Sequence, residues 1–469
     1  MSEIFVNHNV SRRALNEFFS EFPVNKDEIH TLQIYSGGKP VVRIAPSPYS
    51  VSDKREVYSL SKSFCSTAIG FLVDEGKLSL EDRVIDLFPD KLPDQISDNL
   101  REMRLKHVLS MNTGHEFCVL YPMKNSSDGA REFLAQEVKF KPGTHFTYNT
   151  GATCFLSCIV EKITGMKLID YLTVKLFLPL EITDIRWNRI LDGTNEGGCG
   201  LHVSSDDIIK LGLLYINKGM WKGKRLLSEE WVKNASSPVS DNSVNGTPDW
   251  CSGYGFQFWC NSREGFRGDG AFGQLCVVLP EHDMVFAVQA ELGDMQHEMD
   301  AVFKLADHLF DDDDTAELIL PEYAPLSSQR KTAGFENKFF KLDENPLGWT
   351  GIYFTRNPEN DSIRAVISNA VDQYAIEAGN GSFLESLIFT KKLKPKIVFL
   401  MSTPDTERCR IASSYAAEEN KLTFAVRFLN SPHRMTFTFT CEDDRLTIVL
   451  DEKGLLDENA RRITGYLVK

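Results

Sequence analysis

Ser59 and Lys62, three residues apart in Ser59-Leu60-Ser61-Lys62, are the residues best suited to do chemistry in this chain. At a helix start, side chains three apart share a face, with about 5–6 Å between their Cβ atoms. A serine hydroxyl is a poor nucleophile until a neighbouring base takes its proton. A lysine withdrawn from water can be that base, because burial disfavours its charged form. A helix N-terminus beneath the pair adds the positive end of a dipole. The same four residues would also make an ordinary serine N-cap followed by a solvated lysine, so the surrounding elements decide between the two.

Those elements fit a site. Upstream, Thr31–Ile44 reads as two strands joined by the Gly37-Gly38 turn. Downstream, Phe64–Glu75 carries apolar residues at helical spacing and stops at Gly76. Further on, Lys141-Pro-Gly143 makes a turn, and Tyr148-Asn149-Thr150 then leads into an amphipathic stretch, Ala152–Thr164. A phenol beside an ammonium group can pass a proton to a leaving group. A third stretch, Phe266-Arg-Gly-Asp-Gly-Ala-Phe-Gly-Gln274, is glycine-rich, which lets a strand approach a substrate closely. A backbone N–H at its end could complete an oxyanion hole.

Composition narrows the classes. The 469 residues are 42% hydrophobic and 25% charged, as in a soluble globular protein of two or three domains. A net charge of −14 argues against nucleic acid and against an anionic membrane surface. No apolar run is long enough to span a bilayer, and Met1–His8 has no signal-peptide character. Ten cysteines without C-x-x-C spacing read as reduced and mostly buried, so a cytoplasmic protein without zinc is expected.

Residues 1–25 read as a helical lead-in. Helical patterns are expected at Asp128–Glu137, Leu168–Phe177, Ser205–Lys218 and Met295–Phe310, and strands at Gly253–Trp259, Gln274–Leu279 and Met284–Gln289. Asp311–Asp314 and the stretch to about Asn345 read as a linker. Gly348–Phe354, Ser362–Ser368, Ile397–Met401, Lys421–Arg427, Arg434–Thr440 and Arg445–Leu450 are short β-rich runs, the pattern of a small antiparallel barrel or sandwich. The expected division is 1–315, a linker 316–345, and a β-rich accessory domain 346–469.

The motifs together resemble the serine β-lactamase-like superfamily of class C β-lactamases, penicillin-binding DD-peptidases and related esterases. Tyr58–Phe64 with Gly70–Asp82 is similar to that family's first motif and the segment after it. Leu109–Gly114, Phe146–Gly165, Gly198–Leu201, Ser204–Asp206 and Trp221–Lys224 are further family-like phrases, in family order over about residues 10–310. The resemblance implies an α/β (α+β) fold: an antiparallel sheet flanked by helices, with a largely helical inserted region. It implies attack by Ser59, proton handling by Lys62 and Tyr148, an oxyanion hole from the amides of Ser59 and Gln274, and an acyl-enzyme released by water. Thr150, Ala271, Phe272 and Gly273 would line the substrate site. The substrate would be a small ester, amide or peptide, with no metal or organic cofactor. A penicillin- or peptide-binding module with little turnover is the alternative.

Two positions depart from the family pattern. Thr150 stands where asparagine is usual. The third motif, aligned as Ala271-Phe-Gly-Gln274, lacks the Lys or His that would meet a substrate carboxylate. Arg267 stands nearby but reads as an ordinary loop or surface arginine. Both departures point away from penicillin hydrolysis. His282 reads as a solvated loop residue, and His115 and His202 as weaker triad candidates. Asp206-Asp207 reads as helix-start charge, Trp259 as core, and Phe272 as a candidate pocket wall.

Overall fold

A computed structural model describes residues 2–24, 26–312, 316–389, 408–453 and 461–468. Its first layer is a seven-stranded antiparallel sheet. The strands are β1 (Glu3–Val6), β2 (Glu28–Ser36), β3 (Lys39–Ala45), β4 (Trp259–Cys260), β5 (Phe266–Gly270), β6 (Gln274–Leu279) and β7 (Met284–Glu291), in the order β1-β3-β2-β7-β6-β5-β4. The central strands are covered on both faces, so β6 and β7 are buried throughout, and Leu275–Leu279 and Met284–Val288 are apolar at every position rather than alternating.

One face carries α1 (Arg12–Ser20) and α5 (Met295–His308), whose Leu15, Phe18, Val302 and Leu305 share a core with Leu32, Ile34, Val277 and Phe286. The other face carries α2 (Ser61–Asp74) and α4 (Ser205–Ile216). Gly212 brings α4 close to the sheet, for a Cβ there would stand 2.3 Å from Val285 Cγ1. Helix α3 (Thr150–Thr164) packs across α2 within the same core. Most helices lie between β3 and β4.

The remaining chain builds a barrel from β8 (Phe339–Leu342), β9 (Trp349–Asn357), β10 (Ser362–Asn369), β11 (Gln373–Gly379), β12 (Leu384–Phe389), β13 (Arg408–Glu418), β14 (Lys421–Phe428), β15 (Arg434–Glu442), β16 (Arg445–Lys453) and β17 (Arg461–Leu467). Their order is β11-β10-β9-β8-β17-β16-β15-β14-β13-β12, and a β11–β13 pairing closes nine of them into the barrel. Along β14 every second residue is buried. The interior is filled with Phe354, Phe424, Phe437, Phe439 and aliphatic residues, a packed core.

Several expectations shift. The N-terminal stretch opens with β1, an edge strand held by pairing to β3, before α1 begins at its Ser11 cap. In Gly253–Trp259 only Trp259 belongs to a strand, because Gln257 sits at φ +65° and the loop folds Gly255 N onto Phe258 O. β8 lies inside the stretch read as linker. That stretch also docks on the sheet, through Tyr323 Oη to Ile29 O at 2.9 Å. Ile397–Met401 lies outside the described residues. No helix among the described residues is long and apolar enough to cross a membrane.

Candidate active site

Residues Tyr58–Leu60 form a single tight 3-10 turn that runs into α2. Ser61 Oγ donates to Tyr58 O at 2.5 Å and accepts from Leu201 N at 3.1 Å, so the turn is tied to the strand Leu201–Val203. Ser59 therefore stands at the mouth of a helix that is buried along most of its length. On the facing helix, Asn149 caps α3: its Oδ1 accepts from Ala152 N at 3.3 Å and from Val119 N at 3.0 Å. That cap sets Tyr148 just before α3 and Thr150 at its first residue.

Lys62 is only 1% exposed. Its Nζ donates to Ser59 Oγ at 2.9 Å, Thr150 Oγ1 at 3.2 Å and Gly198 O at 2.7 Å. Its Nζ also lies 4.7 Å from the centre of the Tyr148 ring. Burial lowers the Lys62 pKa, because the ammonium loses its water. Tyr148 is raised by burial and by the Asp269 carboxylate, and lowered by hydrogen bonding with Ser59. The Tyr148 ring is stacked on Trp259, with centroids 5.2 Å apart.

The third motif comes in from β5. An added Cβ on Gly270 would stand 2.1 Å from Val57 O and 3.1 Å from the backbone nitrogens of Ser59 and Leu60. Only glycine lets the strand lie this close. Gln274, expected as an oxyanion donor, pairs with Gly270 across the hairpin; the residue placed against the Ser59 amide is Gly270 itself. The Gln274 side chain is folded onto Phe272 O (3.1 Å), Ala290 O (2.7 Å) and Ala271 O (3.4 Å), which fixes the shape of the turn. Ala271 is half-buried in the turn between β5 and β6. Gly273 sits at φ +82° against the Glu298 carboxyl. Phe272 is buried and packs on Tyr58 and His433.

Arg267 is not a surface residue. It is 0% exposed, donates to Asp269 Oδ2 at 3.0 Å and Asn261 Oδ1 at 3.1 Å, and lies 4.3 Å over the Trp250 ring. Its neighbours come from β5, from Asn261 just after β4 and from the turn Pro248–Trp250, which the short polar run in the sequence did not reveal. Burial raises the Asp269 pKa, against the pull of Arg267 and Lys62. His282 makes ion pairs with Glu264 and with Asp307 (3.5 Å), and is half-buried. His115 is bonded to Thr113 and His202 to Arg186, so neither joins Ser59. Asp207 closes a capping box with Ser204, as a helix-start charge should, while Asp206 pairs with Arg43. Among the described residues no disulfide joins the cysteines, and Cys118 is exposed. The Gly198 carbonyl was invisible to reasoning from residue types, because a backbone acceptor carries no side-chain signal.

The sequence pattern of the Beta-lactamase family matches residues 31–306. The chain belongs to that family. The 6-aminohexanoate-dimer hydrolase of Paenarthrobacter ureafaciens is 25% identical over 276 residues, covering 54% of this chain and 70% of that one. Among solved structures, the hydrolase EstCE1, described as having promiscuous acyltransferase activity, superposes with a TM-score of 0.52 at 14% identity, over 64% of this chain and 99% of its own. An octameric penicillin-binding protein homologue from Pyrococcus abyssi superposes at 0.50 and 17% identity, over 95% of this chain and 97% of its own. The last match therefore extends across the barrel as well.

Proposed function

We propose that this chain is a serine hydrolase that cleaves a small ester, amide or peptide bond through an acyl-enzyme on Ser59. The observation that carries the reading is the 2.9 Å contact of Lys62 Nζ with Ser59 Oγ in a nearly dry setting. Ser59 Oγ forms the bond to the acyl carbon as Lys62 takes its proton. The tetrahedral oxyanion lies between the Ser59 amide and the turn that runs from Gly270 to Gln274. Tyr148 passes a proton to the departing oxygen or nitrogen, and water then releases the acyl group by the reverse route. Thr150 and Gly198 O hold the Lys62 amine on the serine and away from bulk water.

The relatives support this chemistry, since one is named a hydrolase of a 6-aminohexanoate dimer and one a hydrolase with acyltransferase activity. Both reactions can share an acyl-enzyme. The stretch Phe266–Gln274 offers no free cation, because its one arginine, Arg267, is spent on Asp269 and Asn261. That favours substrates without a carboxylate at this point over penicillins. Mostly buried cysteines that form no disulfide among the described residues fit a cytoplasmic location. We divide the chain functionally into the hydrolase part, 1–315, the connecting stretch 316–345, and the accessory part, 346–469.

The test is mass spectrometry of the intact protein with a fluorophosphonate, a penicillin and an activated short-chain ester. A Ser59 adduct with the fluorophosphonate, ester turnover, and loss of both in Ser59→Ala are expected. Ester turnover retained in Ser59→Ala would overturn the mechanism. A lasting penicillin adduct without ester turnover would replace it with a binding role.

A further inference from the structure

The barrel reaches the site through the loop between β14 and β15. Arg55 Nη1 donates to Leu429 O at 3.2 Å and Nη2 to Ser431 O at 2.5 Å, while Glu56 N donates to Asn430 O at 3.1 Å. Arg434, at the end of the loop, donates from its backbone to Glu291 Oε1 at 3.2 Å and pairs with Glu28 at 2.6 Å. The loop is thus fastened to the segment that enters the Ser59 turn and to the ends of β2 and β7.

At the base of the loop, where Phe428 N donates to His433 O at 3.0 Å, His433 is 2% exposed and lies between Tyr58 and Phe272. Its Nε2 is 2.5 Å from Tyr58 Oη, and its ring centre is 4.8 Å from that of Phe272. The Tyr58 and Phe272 rings themselves meet edge-on at 5.3 Å. Both residues are strained: Tyr58 has φ +45° and Phe272 φ +67°, a region that bulky side chains avoid. Such conformations cost about 1–3 kcal/mol each and persist only where surrounding contacts impose them. Tyr58 precedes Ser59, and Phe272 lies in the turn that follows Gly270, the residue against the Ser59 amide. A buried phenol also needs a hydrogen-bond partner, and here the barrel supplies it.

We propose that His433 is a positioning residue of the hydrolase site: the barrel loop uses it to hold Tyr58 and Phe272 in their strained conformations, and so holds the two backbone segments that meet at the Ser59 amide. The barrel is then a working part of the site. Burial, with Arg55 nearby, pushes the His433 pKa down to about 3, so the ring is neutral near pH 7 and the clamp does not switch there. The proposal rests on the acyl-enzyme reading for its kinetic consequence, but its structural content can be read without turnover.

The experiment uses the full chain with His433→Ala, His433→Gln and Tyr58→Phe. In His433→Ala, kcat for an activated ester and the rate of fluorophosphonate labelling of Ser59 are expected to fall about 10-fold or more, with KM within about twofold, as for a site displaced by a fraction of an ångström. His433→Gln, which can keep a hydrogen bond to Tyr58 Oη, should recover part of the loss. Tyr58→Phe, which removes one oxygen and leaves the ring, should lose less than His433→Ala in the same parameter. Hydrogen exchange at amides 58–61 and 270–274 should speed up in His433→Ala, while the interior of α3 stays protected. Unchanged kcat and unchanged exchange in a folded His433→Ala would overturn the proposal, as would a loss confined to KM. Should His433→Ala fail to fold, unchanged kcat and exchange in Tyr58→Phe overturn it. An unlabelled Ser59 in the parent protein would count against the hydrolase reading alone, and the exchange result would still decide the clamp.

Discussion

Gly270→Ala and Gly268→Ala differ by one position-pair on one strand, yet the structure separates them sharply. A methyl on Gly270 would stand 2.1 Å from the carbonyl oxygen of Val57, a backbone atom with nowhere to go, and 3.1 Å from the nitrogens of Ser59 and Leu60. Ordinary contact at such a distance begins near about 3.4 Å, so the strand and the Ser59 turn must separate by roughly 1 Å. A displacement of about 1 Å in a reacting geometry costs on the order of 100-fold in rate, or about 2.7 kcal/mol of transition-state stabilisation. On Gly268 the methyl meets Leu60 Cδ1 and Ser63 Oγ at 2.5 Å, both ends of side chains that can rotate. Steady-state hydrolysis of an activated ester, with circular dichroism and a thermal melt as the check on folding, distinguishes the two. Gly270→Ala should lose about 100-fold in kcat/KM while Gly268→Ala loses less than about 10-fold. Wild-type turnover in a folded Gly270→Ala, or equal losses in both, would refute the claim that Gly270 seats the strand against the Ser59 amide.

Three other outcomes are expected. Lys62 must be neutral to accept the Ser59 proton and burial lowers its pKa, so kcat/KM should rise with pH along a limb that ends below the usual lysine range; Lys62→Arg should abolish turnover, and a pH-independent profile would be inconsistent with a lysine base. Glu28 is 0% exposed and accepts from Arg427, Arg434 and Tyr49 at 2.6–2.8 Å, so Glu28→Ala leaves two buried guanidinium groups short of a partner and should cost about 3–5 kcal/mol in urea unfolding. His115 is buried and its pKa pushed down from 6.5 to about 4. The unfolded chain therefore takes up that proton first as pH falls below about 6.5, and its share of the stability is lost on the way to about 4; at pH 5 the loss is about 2 kcal/mol. His115→Gln should then lose about 2 kcal/mol less than the parent between pH 7.5 and 5, and equal losses would exclude this ionisation.

The elements that carry the chemistry were readable because their signals are local. The Gly37-Gly38 turn, the apolar spacing of α2, the amphipathic stretch after a Pro-Gly turn and the glycines of β5 each need only their neighbours in the chain. Arg267 was misread for the opposite reason. Its partners Asp269 and Asn261 are close in sequence, but Trp250, which covers it, comes from a separate loop, and nothing in the run Phe266–Gly270 announces that cover. β1 escaped notice because four residues carry no period, and only the edge of β3 gives them a partner. His433 lies 374 residues from Ser59, and the contact it makes with Tyr58 belongs to the docking of a barrel on a sheet. The proposed nucleophile and base lie three residues apart in Tyr58–Lys62, while the proposed means of holding Tyr58 at positive φ is encoded at the far end of the chain.

The pairing of β2 with β7 sets a timetable for the nascent chain. Glu28 faces Glu291 and Ser36 faces Met284, so the middle of the sheet joins segments about 250 residues apart. At roughly 5–20 residues per second, β2 waits on the order of 10–50 s after synthesis before its partner exists. Throughout that interval a strand that ends up buried along most of its length carries Leu32 and Ile34 with an unpaired edge, a ready template for association with other chains. The delay makes β2 the segment where a holding chaperone would be most useful, and it predicts that yield responds to translation speed more strongly than the stability of the finished fold would suggest.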